Sequence, residues 1–284
     1  MNAAAAGPAD AATDPGPGRD TTRPLPTPRA ARAVFDLSLD AMVWSRRSLM
    51  MAILLALPVV LAIVYRAVLG RLPPRVAAFD FYGNIVAYYY LRFALPVTAL
   101  FYATALVADE VDGKTLTYLI TRPVRRSAIL IGKFAAYVAT TFALALPAIV
   151  VSFFLLATAS GWSGIGARVG DLFRDLGVMA LALVAYGALF TLLGVLLRRP
   201  VIPGLLFIFV WELLANLPGY MPRLTLTAWL QSLIRHRPPQ EGVTAIFGQV
   251  LPAALSLQVL TAATLLFLAA SLWIFSRREY VIEQ

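Results

Sequence analysis

Six apolar stretches, each close to the length of a membrane-crossing helix, divide this chain and leave little room for anything else. They run over about 48–68, 84–108, 129–157, 176–197, 201–217 and 253–275, the fifth being the shortest. A hydrocarbon layer about 30 Å thick takes about 20 apolar residues of helix. Only 14% of the residues are charged, against roughly 25% in a soluble domain. The predicted fold is therefore an all-α membrane protein of about six transmembrane helices. Pro58 falls inside the first stretch, which is tolerable where a neighbouring helix satisfies the carbonyl it frees. The second opens with Tyr88, Tyr89 and Tyr90, residues of the kind that gather at a membrane interface.

Basic residues orient the spans. Of the 24 Lys and Arg, 15 fall on the side of the two termini, 8 on the other, and Arg92 lies within a span. Both termini are expected in the cytoplasm, in a multi-pass protein of the plasma or inner membrane. The same rule accounts for the net charge of +9, so nucleic acid is not an expected partner and membrane lipids are.

Residues 1–30 are rich in Ala, Pro, Gly, Asp and Thr and lack the apolar surface to fold. They also lack an apolar core of signal-peptide type. They are read as a disordered cytoplasmic tail, followed by one six-span domain over 31–284. Within 31–47, Phe35, Leu39 and Met42 recur at helical spacing with Asp36 and Asp40 turned away. This predicts a short amphipathic helix at the interface, although Leu37 interrupts its polar face. Between spans five and six, the proline-punctuated LPGYMP leads into LTLTAWLQSLI. There Leu226, Trp229, Leu230 and Leu233 share one helical face, predicting a surface helix that dips into the outer leaflet.

The chemistry available is sparse. Cysteine is absent, which removes disulfides, thiol catalysis and thiolate metal sites. The single histidine, His236, has nothing at metal-ligand spacing around it and reads as a loop residue. Asp80, Asp171, Asp175 and Glu241 are scattered over the outer loops without a motif, so no catalytic residues, metal or cofactor are expected. The stretch ADEVDGKT, Ala108–Thr115, approaches a phosphate-binding loop. Yet it follows a membrane span and places three carboxylates where phosphate would sit, so nucleotide binding there is rejected. Arg92 and Glu212 are the charges within spans, where ionisable residues are costly and often functional. They could meet as an intramembrane pair. Alternatively, Arg92 snorkels to the tyrosines and Glu212 reaches the outer headgroups.

The most informative segment is 109–133, DEVDGKTLTYLITRPVRRSAILIGK, too polar to span. Leu116, Leu119 and Ile120 form a short apolar stripe, Arg122-Pro123 ends the helix they imply, and Ser127 is placed to cap the third span. The picture is a helical elbow on the cytoplasmic face.

Glu110, Thr115, Leu116, Leu119, Pro123, Val124, Arg126, Gly132 and Lys133 follow a pattern that resembles the connection between spans two and three of the ABC type 2 permease family. One departure is Lys114 directly before Thr115, where the family often has Gly. The resemblance implies the membrane-spanning subunit of an ATP-binding-cassette transporter, an exporter, paired as a homodimer or heterodimer. It also implies docking on a separate cytoplasmic ABC ATPase that holds the ATP. Glu110, Asp112, Lys114, Thr115, Arg122, Pro123, Arg125 and Arg126 would then couple the elbow to that ATPase. The competing readings are a secondary transporter, which would need carboxylates at midplane and inverted repeats, and an intramembrane lipid-modifying enzyme, which would need a titratable cluster. A secondary transporter could draw on Glu212 alone among the span residues, and no repeat is visible.

Overall fold

The computed structural model describes residues 27–68, 78–106, 126–160, 165–217, 219–235 and 251–277. Among them there is helix and no strand. Helix α1 spans Thr27–Val43 and α2 spans Arg46–Val68. The next span is composite: α3, Ala78–Asn84, a π-helical segment, Ile85–Ala94, and α4, Leu95–Ala103. Then come α5, Arg126–Ala157, and α6, Ile165–Leu196. A short α7, Val201–Phe209, passes into a 3-10 helix, Trp211–Asn216. A small helix α8, Leu226–Leu233, and a long α9, Ala253–Arg277, complete the order.

Five of these helices are long and apolar enough to cross a membrane: Arg46–Val68, Ala78–Ala103, Ser127–Ala157, Arg168–Leu196 and Ala253–Arg277. The stretch Val201–Asn216 is apolar but shorter. The second span starts earlier than hydropathy suggested, because Asp80 and Asn84 lie on its first turns. The fourth also extends outward, taking Arg168, Asp171, Arg174 and Asp175 into helix.

The second span and α6 form the middle of the bundle, with α4 packed on α6 and α5 on α6. Large side chains fill this core, among them Tyr82, Tyr90, Tyr102, Tyr137, Tyr186, Phe153 and Phe190. Buried hydroxyls need partners in so apolar a setting. Accordingly, Tyr137 donates to the Leu183 carbonyl at 2.8 Å and Tyr90 to that of Leu55 at 3.0 Å. Helices α2 and α9 lie at the periphery, with Leu49, Met50, Ile53, Leu265, Leu266 and Trp273 exposed as expected of lipid-facing positions.

Helix α1 packs along α5. Phe35, Leu39 and Met42 are half-buried and Asp36 and Asp40 exposed, as their spacing predicted. Leu37 and Trp44 remain 72% and 90% exposed on another side. The close approach is made over Gly132, where an added Cβ would lie 2.5 Å from the Ala31 carbonyl oxygen. Ser127 falls in the first turn of α5.

Helix α8 differs from its sequence reading. It packs against α9, α6 and the π segment, and Thr227 and Ser232 are buried along with Trp229, Leu230 and Leu233. Apolar spacing marked one face for lipid, but the neighbouring helices cover that face and the polar one too.

Candidate functional site

Two prolines set the geometry at the centre of the bundle. Pro96 has no N–H for the Arg92 carbonyl, and its ring crowds that carbonyl. The ladder before it runs in a wider register, with the Leu95 N–H donating to the Tyr90 carbonyl five residues back. Ten residues, Ile85–Ala94, are π-helical. Such geometry is normally confined to single turns and is frequent at functional sites. Pro58 likewise leaves the Leu54 carbonyl of α2 without its helical donor. The Tyr89 hydroxyl donates to it at 2.5 Å. The tyrosine triplet is therefore no interfacial belt. The span begins at Ala78, so these residues lie well inside it, with Tyr89 and Tyr90 bonded to the backbone of α2.

Glu212 is fully buried. Its carboxylate accepts the Leu226 N–H at 3.2 Å and the Thr227 N–H at 3.1 Å. The Thr225 hydroxyl accepts the Ala228 N–H at 3.4 Å. The first amides of α8 are thus satisfied by one side chain from outside the helix and one N-cap. A negative charge at a helix N-terminus also complements the helix dipole. The Tyr186 hydroxyl lies 2.9 Å from that of Thr227 and faces the same carboxylate.

Arg92 lies midway along the span Ala78–Ala103. One of its guanidinium nitrogens donates to the Asn216 side-chain oxygen at 2.6 Å. The Arg92–Glu212 pair that the sequence left open is therefore not a direct contact. Among the described residues no salt bridge joins Arg92 and Glu212. The reason is rotation along the 3-10 helix, which aligns positions three apart. Leu213 and Asn216 share an exposed side while Glu212 points inward to α8. Glu212 does not reach a headgroup layer either, being enclosed by protein.

At the α8 end of the bundle, Asp175 is buried on α6 beside Tyr82. Asp171, one turn away, forms a 3.0 Å salt bridge with Arg235. Arg174 Nε donates to the Leu233 carbonyl at 2.6 Å, and the Arg168 guanidinium lies 4.3 Å from the centre of the Phe79 ring. These residues, scattered in the sequence reading, gather here to join α6, α3 and α8. Asn216, Tyr186 and Thr227 carried no sequence signal of a site. Only Glu212 and Arg92, as charges in apolar stretches, pointed to this region.

No group of His, Cys, Asp and Glu suited to a metal occurs among the described residues. Glu110, Asp112, Lys114, Thr115, Arg122, Pro123 and Arg125, which the family resemblance would assign to coupling, lie outside the described residues, as do His236 and Glu241. Arg126 is the first residue of α5. The flanks of that segment are visible: Lys133 Nζ donates to the Leu106 carbonyl at 3.4 Å, drawing the end of the second span to the start of α5.

A bundle of long apolar helices with its polar contacts turned inward defines a multi-pass membrane protein. The family model described as ABC-2 family transporter protein matches residues 42–214, more than half of the chain. The chain belongs to that family, the permease component of ABC transporters, which normally works with a cytoplasmic ABC ATPase. No curated protein matches the chain.

Proposed function

We propose that this chain is the permease half of an ABC exporter, forming the translocation path as one of a pair and driven by a separate cytoplasmic ATPase. The observation that carries this reading is the family match over 42–214, which includes the polar connection between the second span and α5. The elbow at 109–128 is the docking surface for the ATPase, with Glu110, Asp112, Lys114, Arg122 and Arg125 as its charged contacts. Thr115, Pro123 and Arg126 shape it. The bond from Lys133 to Leu106 supports this reading, since motion of the elbow would pass directly into both spans. ATP stays on the partner subunit.

The topology is six spans with both termini cytoplasmic. The stretch Val201–Asn216 serves as the fifth in order. Nine α-helical and six 3-10 residues give about 25 Å of length, close to the hydrocarbon thickness. The chain has no cysteine, so single cysteines label cleanly. An impermeant reagent on intact cells is expected to reach Ser163→Cys and Gln240→Cys but not Ser127→Cys. The reverse pattern would invert the model.

The decisive experiment reverses charge at the elbow with Glu110→Lys and Arg125→Glu together. Insertion and pairing are expected to persist, while co-purification with the ATPase weakens and stimulation of its turnover in lipid is lost. Wild-type binding and stimulation by the variant would reduce the elbow to an ordinary loop.

A further inference from the structure

We propose that Arg92 is an anion-recognising residue on the translocation path, so that the transported substrate carries a phosphate or carboxylate group. The proposal rests on the permease reading and adds the chemical class of the substrate. Arg92 sits midway along its span, too deep to snorkel as residues near helix ends do. A cation at that depth is costly and normally pairs with an acidic group or backbone carbonyls. Here its one polar contact among the described residues is the neutral side chain of Asn216 at 2.6 Å. The carboxylate that could have answered it, Glu212, is enclosed and engaged with the amides of Leu226 and Thr227. The charge of Arg92 is therefore occupied by Asn216 without being neutralised by it.

The surroundings are open on one side. Arg92 itself is only partly buried, and Tyr88, one turn before it, is 45% exposed. Phe209 and Leu213 on the adjoining element are exposed as well, with Phe93 and Phe209 rings 6.3 Å apart holding the two elements together. A guanidinium offers a planar fork of donors matched to phosphate and carboxylate. Lipid tails offer no such partner. The same atoms in a hydrated path, framed by aromatic and aliphatic side chains, suit the anionic group of an amphiphile.

The test uses the purified full chain in neutral detergent, with thermal unfolding as the readout. Three probes are added separately: dihexanoyl phosphatidic acid, dihexanoyl phosphatidylcholine and inorganic phosphate. The phosphatidic acid is expected to raise the Tm saturably, and phosphatidylcholine is expected not to. Arg92→Gln should need at least tenfold more phosphatidic acid for the same shift, and Arg92→Lys should fall between. Asn216→Ala, which frees the guanidinium, should bind at least as tightly as wild type. Stabilisation by inorganic phosphate alone, with the same Arg92 dependence, would assign the site to a free anion in place of an amphiphile headgroup. The proposal is overturned if no anionic probe stabilises the wild type, or if Arg92→Gln or Arg92→Lys responds like wild type. Loss of binding in Asn216→Ala would also overturn it. So would efficient oxidative cross-linking of Tyr88→Cys between two copies that no probe disturbs, since that face would then be a closed seam. Because the ATPase takes no part, these outcomes are independent of the elbow experiment.

Discussion

The two ends of the bundle are held together by different means. Toward the end where α1 packs on the start of α5, helices approach mainly over glycine, with Lys133 and Arg47 adding bonds to the Leu106 and Phe101 carbonyls. Gly132 lets the α1 backbone come close, and Gly194 faces the Thr104 backbone, where an added Cβ would lie 3.1 Å from its carbonyl oxygen. Further in, Gly187 lies against the Tyr137 ring. At the other end, where α8 sits, joints are polar: Glu212 to the amides of α8, Arg174 to the Leu233 carbonyl, Arg235 to Asp171. Lipid supplies no hydrophobic drive between helices, so close packing over small residues and interhelical hydrogen bonds are the two means available. The first suits long regular helices. The second suits short broken ones such as α8, whose end groups would otherwise lack partners.

This contrast can be broken in order of expected effect. Glu212→Ala strips a buried and a part-buried amide of their charged acceptor and should destabilise by about 3 kcal/mol, read as a lower Tm in nanodiscs. Glu212→Gln keeps one acceptor oxygen and should fall between. A wild-type Tm for Glu212→Ala would mean α8 is held by packing alone. Next, Gly187→Ala drives a Cβ into a ring fixed by its bond to the Leu183 carbonyl. Overpacking of this kind costs about 1–3 kcal/mol. The double change with Tyr137→Phe, which releases the ring, should recover part of it.

Gly177→Ala sharpens the comparison from the opposite direction. Nothing lies within 4 Å of a Cβ there. The change should be neutral or stabilise by up to about 1 kcal/mol through backbone entropy. Destabilisation would show that glycines on α6 matter for some reason besides close approach. The smallest effect belongs to Arg235→Ala. Its side chain is 65% exposed, and exposed ion pairs contribute between about 0 and 1 kcal/mol. A Tm shift that disappears in added salt would confirm its surface character.

Hydropathy alone determined the solvent, the all-helical class and the approximate spans. Each of these depends on local pattern, and helix in lipid is the one local solution for an open chain segment that must satisfy its own backbone. Proline chemistry was legible as well. Pro58 called for a partner to its freed carbonyl, though nothing in the sequence named Tyr89 as the donor. The family pattern in 109–133 was legible because it is contiguous. What only the tertiary structure decided was the pairing of polar groups. Glu212 and Arg92 stood out as charges in apolar stretches, and the sequence left open both a direct ion pair and separate routes to the tyrosines and the outer headgroups. The 3-10 turn at Trp211–Asn216 instead points Glu212 at α8 and leaves Asn216 to meet Arg92. Asp175, read as a loop residue, proved to be buried on α6 against Tyr82. A charge announces its cost in lipid wherever it sits in the sequence. Which group answers it depends on helix rotation and on which helices pack together, and those are properties of the assembled bundle.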